Sequence, residues 1–341
     1  MSRQHGLFLF HSICNSYQVY FVDYGGMKQD RILITGAGGQ IGQVLGQALQ
    51  DQYGPANVLA TDLKPVPNFA NFEILDVLDV GQFTTLIQRF RPTVLYHLAG
   101  ILSAVGEKNP DKAWSVNTQG WINAVGLASR NNVSRVFFPS SIAVFGPGSP
   151  LEQTGQNVPL HPSTVYGITK MAGEGIGEYF FRKHHLDVRG LRYPGIISYQ
   201  TDPGGGTTDY AVDIFHQLLV SGEYTCFLDA DRVLPMMYID DAIQGTLQLM
   251  EADPENIRIR TAYNFGAMSF SPRELAEEIR LYLPEMKVNY EPDFRNEIAL
   301  NWPQEILDVE ARRDWNWQPK YGITETVREM IGHLKERKLP T

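Results

Sequence analysis

From residue 31 onward the chain alternates short apolar runs with longer helical patterns, and no other feature restricts its fold as much. Candidate strands fall at 31–35, 58–61, 72–75, 94–98, 135–139 and 187–192, with candidate helices at 40–53, 80–90, 113–132 and 165–183 between them. A strand that returns through a helix comes back parallel to its predecessor, and a parallel sheet is covered by helices on both faces. Several of these strands are apolar on both faces, as burial under two helical layers requires. The expected fold class is therefore α/β, a doubly wound parallel sheet of the Rossmann kind.

After residue 192 the alternation loosens. Gly204-Gly205-Gly206 is a flexible stretch, a helix is expected at 210–220, and a proline-containing tail carries Trp302, Trp315 and Trp317. An open sheet that holds a cofactor needs further walls for a second ligand, so this part is expected to build a smaller C-terminal substrate lobe. The expected division is a cofactor domain at 27–195, with 236–266 returning to it, and a substrate lobe at 196–235 and 267–341.

The first 26 residues read as an extension. The apolar run at 7–10 is broken by Cys14, Asn15 and Gln18, which makes a poor secretory core. A mitochondrial presequence finds thin support in one arginine, Arg3, beside one acid, Asp23. A translation start at Met27, just before the first strand, is the plainer expectation. The compartment expected is the cytoplasm, or the mitochondrion if the extension is a eukaryotic presequence. No apolar run reaches the roughly 18–20 residues that span a bilayer, so no membrane partner is expected. A formal charge of −9 argues against nucleic acid. The two cysteines, Cys14 and Cys226, form no CxxC or Cys/His cluster, which leaves neither a disulfide framework nor a metal site.

Gly36-Ala37-Gly38-Gly39-Gln40-Ile41-Gly42 follows the first strand and opens the first helix. Glycines at Gly36, Gly39 and Gly42 permit a tight turn and let backbone approach a pyrophosphate, while the helix start at Gln40 and Ile41 offers unbonded N–H groups to the anion. Asp62 lies 20 residues after Gly42, at the end of the second strand, where a carboxylate can accept from a ribose diol and repel a 2′-phosphate. NAD is thus expected rather than NADP, although Asp62 could be a solvated strand-end acid and Lys64 stands close by. Asp76-Val77 after the third strand is placed for adenine, and Leu98-Ala99-Gly100 after the fourth for ribose and pyrophosphate.

Tyr166 and Lys170 are four residues apart and share one helix face. A free phenol, with a pKa of about 10, is a weak base at neutral pH; a nearby ammonium and a cationic nicotinamide both favour the phenolate. Tyr166 could then take a substrate hydroxyl proton while hydride leaves the same carbon, with Lys170 also holding the nicotinamide ribose. Such a pair also arises as an ordinary amphipathic surface pair. Ser140-Ser141, immediately after the fifth strand and 25 residues before Tyr166, raises the catalytic reading, because Ser141 can bond substrate oxygen and Tyr166 together. Asn117, a poor helix former inside its helix, is a candidate for backbone or water bonding behind the lysine. With Tyr193 at the end of the sixth strand it completes the candidate cofactor contacts.

Taken together these residues resemble the extended short-chain dehydrogenase/reductase (NAD-dependent epimerase/dehydratase) superfamily, from about Lys28 to the C-terminal helix. Ile101-Leu102-Ser103-Ala104, Pro139 to Gly146, Leu191 to Gly195 and Gly204-Gly205-Gly206-Thr207-Thr208-Asp209-Tyr210-Ala211 are similar to its L-threonine 3-dehydrogenase branch, the last most specifically. The resemblance implies oxidation of the L-threonine 3-hydroxyl, with Tyr166 as base, Lys170 as its partner and Ser141 as the orienting hydroxyl. It implies that Ser103 and Thr207 contact substrate, that Asp209 is needed for activity, and, by analogy, a homodimer through the helices at 113–132 and 165–183. Thr207, Thr208 or Asp209 could instead cap the helix near Tyr210. The glycines before them suit a lid.

Two rivals share the cofactor fold. A sugar-nucleotide epimerase or dehydratase usually carries an RYFN-like run after the sixth strand and, in dehydratases, an Asp-Glu pair beside the catalytic hydroxyl; here Tyr193-Pro194-Gly195 and Ser141-Ile142-Ala143-Val144 supply neither. A non-catalytic NAD-binding regulator often lacks the tyrosine, which this chain keeps.

Overall fold

The computed structural model of the protein describes residues 30–338, so the expectations for the first 26 residues and for Met27 lie outside the described residues. Seven parallel strands make the central sheet: β1 (Ile32–Thr35), β2 (Val58–Asp62), β3 (Phe72–Ile74), β4 (Val94–His97), β5 (Arg135–Ser141), β6 (Asp187–Tyr193) and, after β7 (Gly195–Ile197), β8 (Glu223–Cys226) and β9 (Leu234–Tyr238), β10 (Tyr263–Asn264). Their spatial order is β10-β6-β5-β4-β1-β2-β3. Order reverses between β1 and β4, which pair directly from Ile32↔Val94 to Thr35↔His97. In such sheets the crevice beyond the strands' carboxyl ends at that reversal receives the ligand.

Period-two alternation sorts the strand residues between two cores. Ile32 and Ile34 face one side, where Leu45 and Leu49 of α1 (Gln40–Tyr53) are buried. Leu33, Leu59, Leu95 and Val136 face the other, under Phe83 of α2 (Val80–Phe90) and the buried Trp121. The edge strand β3 departs from the expectation of strands covered on both faces: its residues are half-buried or exposed, because no strand lies beyond it.

The helix expected at 113–132 is present, from Pro110 to Arg130, but it is not regular. α3 (Ser103–Lys108) and α4 (Pro110–Trp114) precede a π-helical stretch, Ser115–Gln119, and α5 (Gly120–Arg130) continues from it. Wide turns of this kind occur often where a side chain is put to use, and the Asn117 side chain on this one bonds across to Ile101. α6 (Val165–His184) starts at Thr164, whose hydroxyl accepts from Gly167 N–H. β5 runs on through Ser140 and Ser141, paired with Arg192 and Tyr193, so the serines end the strand rather than follow it.

The later chain builds two small sheets, β7-β9-β11 with β11 (Met268–Phe270), and β8-β12 with β12 (Lys287–Tyr290). α7 (Tyr210–Ser221), α8 (Ile239–Glu251), α9 (Pro272–Arg280), α10 (Phe294–Ala299), α11 (Val309–Trp315) and α12 (Ile323–Lys338) accompany them. α8 lies against α1. The buried Asp241 carboxylate on α8 accepts the backbone N–H groups of Lys320 and Tyr321, which fastens the tail. Among the described residues no helix is long and apolar enough to cross a membrane.

Trp121 on α5 is fully buried, donates its indole N–H to Gly173 O of α6 at 3.0 Å, and packs 4.6 Å from the Phe138 ring. Trp121→Ala should therefore cost about 3–5 kcal/mol through cavity formation. Leu281→Ala, at a position 74% exposed, should cost no more than about 0.5 kcal/mol. Denaturant melts of the two variants check the contrast.

Candidate active site

The turn after β1 is possible only without a side chain at Gly36. Its φ is +74°, and a Cβ there would lie 2.4 Å from Ala99 N in the segment after β4. The two strand ends thus meet backbone to backbone, and α1 begins at Gly39 with no side-chain cap from the described residues. Its first N–H groups face the crevice as an anion site. Asp62 ends β2 with both carboxylate oxygens engaged: Oδ2 accepts Gly38 N–H at 2.9 Å and Oδ1 accepts Leu63 N–H at 2.7 Å. The acid is thus bound to the glycine turn rather than free in solvent, and each oxygen keeps a lone pair for a diol. Gly38, Gly39, Gln43, Asp62, Lys64 and Val66 line a cavity of about 360 Å³ beside it. Gln40 Nε2 donates to Ile196 O at 3.2 Å, tying the phosphate turn to β7. This glycine cradle, free helix start and anchored carboxylate fit a dinucleotide.

The other expected cofactor residues divide. Asp76, exposed beyond β3, turns its carboxylate on Leu78 N–H (2.9 Å), while Val77 is buried against Gly120. Leu98, Ala99 and Gly100 continue β4 along the crevice wall, Leu98 N–H still bonded to Thr35 O. Asn117 Oδ1 accepts Ile101 N–H at 2.7 Å, and its Nδ2 donates to Ile101 O and Thr169 Oγ1. It clamps this loop to α6 next to Lys170. The Tyr193 side chain points away from the crevice: its ring packs between Phe137 and Phe265, and its hydroxyl bonds Thr246. Only its backbone is left to face a cofactor.

At the heart of the crevice the Ser141 hydroxyl, which accepts Ala143 N–H at 3.2 Å, lies close enough to Tyr166 to favour its phenolate. Gly167 makes this approach possible, since a Cβ there would sit 2.1 Å from Ala143 O in the turn that follows Ser141. Lys170 Nζ donates to Pro139 O at 2.6 Å and lies 5.4 Å from the centre of the Tyr166 ring. The expected depression of the phenol by a nearby ammonium is not what the protein alone displays. Burial pushes Tyr166 up to about 12 against the smaller downward pull of Ser141, and burial pulls Lys170 down to about 8. Desolvation is the larger effect on both groups, and the amine's hydrogen bond goes to a carbonyl rather than to the phenol.

Ser103 and Thr207, far apart in sequence, are buried together with their hydroxyls 3.1 Å apart. Asp209 Oδ2 accepts Gly206 N–H at 2.8 Å and makes no side-chain cap bond to α7, so it fastens the glycine stretch instead of capping a helix. α3, which starts at Ser103, holds the start of α6 through Glu107, whose Oε1 accepts Val165 N–H at 2.8 Å.

Three residues absent from the expected set lie directly behind this site. Glu174 and Arg192 form a buried ion pair of 2.8 Å, to which Ser140 donates. Glu174 stands four residues past Lys170, and Arg192 is a cation within an apolar strand. Either anomaly could have marked the pair in the sequence.

Comparison with known proteins agrees with this geometry. The sequence pattern of the "NAD dependent epimerase/dehydratase family" matches residues 32–266. The chain is 42% identical over 308 residues to the mitochondrial L-threonine 3-dehydrogenase of Bos taurus, covering 89% of this chain and 82% of that one. Among solved structures it resembles the holo form of a GalE-like L-threonine dehydrogenase from Cupriavidus necator, with a TM-score of 0.87, 47% identity and coverage of 89% and 99%. A monomeric L-threonine 3-dehydrogenase from a metagenome gives a TM-score of 0.88, 46% identity and coverage of 90% and 100%.

The lowered Lys170 amine makes a stability prediction. Between pH 8 and 10.5 the unfolded chain holds a proton on this group that the folded protein has released, so its penalty is full below pH 8 and fades toward 10.5. From pH 7 to 9.5 the unmodified protein should gain about 2 kcal/mol relative to Lys170→Met. Paired denaturant melts at the two pH values test this, and parallel pH dependence would contradict it.

Proposed function

Because this chain belongs to the NAD dependent epimerase/dehydratase family, we propose that it oxidises the 3-hydroxyl of L-threonine with NAD, giving 2-amino-3-oxobutanoate, NADH and a proton. The observation that carries the reading is the convergence of Ser141, Tyr166 and Lys170 at the carboxyl ends of the strands, beside a glycine turn with an anchored Asp62. NAD, when bound, supplies the hydride acceptor. Gly36, Gly39, Gly42 and the start of α1 would hold its pyrophosphate, and Asp62 its adenosine ribose.

The rest falls to the chain's own side chains. Ser141 orients the substrate hydroxyl toward Tyr166, and Tyr166 takes its proton. A phenol held near 12 is a poor base, so turnover should climb with pH as the phenolate fraction grows. Lys170 contributes positive charge below its own value of about 8 and a ribose contact. Ser103 and Thr207 offer paired hydroxyls to the amino acid's carboxylate, and Asp209 offers a carboxylate to its ammonium.

A second copy of the chain is the further partner we infer. Trp114 and, on α5 and α6, Ile122, Ile168 and Tyr179 are large apolar side chains left exposed. Apolar residues grouped on neighbouring helices suit a self-complementary dimer face. Light scattering should report a dimer of the 38.4 kDa chain, and Ile168→Glu with Tyr179→Glu should yield monomer. A monomeric unmodified protein would remove this inference.

For the reaction itself, absorbance at the NADH band should rise with L-threonine and NAD, with catalytic efficiency at least about tenfold lower for NADP. Tyr166→Phe should remove nearly all turnover while NAD affinity stays close to normal. Turnover of a nucleotide sugar with no net NADH would replace this reading with an epimerase.

A further inference from the structure

Ser141 and Lys170 both depend on the position of one strand end. Pro139, Ser140 and Ser141 are consecutive in β5, and each meets a different residue of α6. Pro139 O accepts Lys170 Nζ, Ser140 Oγ donates to Glu174 Oε1 at 2.6 Å, and Ser141 meets Tyr166. Tyr166, Lys170 and Glu174 recur every four residues, so they form one stripe along the helix. Ser140 and Ser141 share one stretch of strand backbone, paired with Arg192 and Tyr193, so anchoring Ser140 to Glu174 fixes where Ser141 is presented to Tyr166.

The anchor is costly to build. Glu174 is 2% and Arg192 3% exposed, and both charges are removed from water. They are compensated by dense bonding. Arg192 Nε and Nη2 donate to Glu174 Oε1 and Oε2 at 2.9 and 2.8 Å, and Arg192 Nη1 donates to Gln156 O and Asn264 Oδ1. Asn264 Nδ2 in turn donates to Thr154 O and Leu307 O, which carry the network into the C-terminal part of the chain. Apolar residues of similar volume would often be as stable as such a pair, so its use is to be sought in specificity of arrangement.

Resting on the dehydrogenase reading above, we propose that Ser140, Glu174 and Arg192 are positioning residues that hold Ser141 and the Lys170 carbonyl contact in register with α6, and that link this register to the loops at 154–156 and 307. They touch no substrate. Their effect is on the geometry of proton and hydride transfer, where small displacements cost rate far more than binding.

Ser140→Ala cuts the link between the ion pair and β5 but leaves the pair intact, so it avoids the stranded charge that Glu174→Ala would create. Ser140→Ala should lower kcat about tenfold or more, leave KM for NAD within about twofold, and lower Tm by only a few degrees through the lost hydrogen bond. The rising limb of its pH profile should move to higher pH, because a displaced Ser141 no longer favours the Tyr166 phenolate. Ser140→Thr restores the hydroxyl and should recover much of the loss. A Ser140→Ala protein with kcat and pH profile unchanged would overturn the proposal, even if Glu174→Gln lost activity along with stability. If the unmodified protein makes no NADH from L-threonine, that result counts against the proposed reaction. Positioning is then read from the ultraviolet titration of Tyr166 with NAD present, taken as a difference against Tyr166→Phe. An upward shift in Ser140→Ala supports the relay, and coincident titrations contradict it.

Discussion

Parallel pairing of β1 with β4 is the constraint on which the rest of the structure depends. These strands are not consecutive, so the helices that follow them leave on opposite faces of the sheet and open a crevice between their ends. Thr35 to Gly36 on one side and Leu98 to Ala99 on the other approach so closely that only glycine fits at Gly36. Everything placed in the crevice is placed relative to this seam. The glycine turn, Asp62 and the start of α1 come from one half of the sheet; Ser141, Tyr166 and Lys170 come from the other.

Burial then sets the chemistry. The same removal of water that lifts the Tyr166 phenol also weakens the Lys170 ammonium, so both proton-handling groups are shifted toward their neutral forms. His97 shows the same force at the end of β4. Its ring is 2% exposed and bonded to Thr35 Oγ1, and burial, helped by Lys170, holds it down at about 3. It is neutral throughout the working range and adds no competing charge behind the site. A positive nicotinamide entering such a crevice favours the phenolate with little water to screen it.

Much of this was legible in the sequence where the signal is local. β1, β2, β4, β5 and β6 and helices α1, α2 and α6 follow from apolar period and, for α1, from the glycine turn before it, with ends displaced by a residue or two. Tyr166, Lys170 and Ser141 follow from spacing and from strand ends. What escaped depends on contacts distant in sequence. The π-helical stretch at Ser115–Gln119 carries Asn117, which bonds to Ile101 and Thr169. The β7-β9-β11 sheet joins segments roughly thirty to forty residues apart, and no local pattern announces it. Tyr193 belongs to the right strand, but which way its ring turns is decided by Phe137, Phe265 and Thr246. Glu174 and Arg192 were visible only as isolated charges until the β5–β6 register set Ser140 opposite Arg192.

The central claim is that one crevice holds substrate, proton acceptor and hydride acceptor in a single geometry. Its most direct test is to supply NAD and L-threonine carrying deuterium at C3, and to weigh the reduced cofactor by mass spectrometry. The account predicts that the deuterium is found on the nicotinamide ring of the product and that the turnover is slowed by the substitution. Unlabelled NADH, or label retained on the amino acid product, would contradict it.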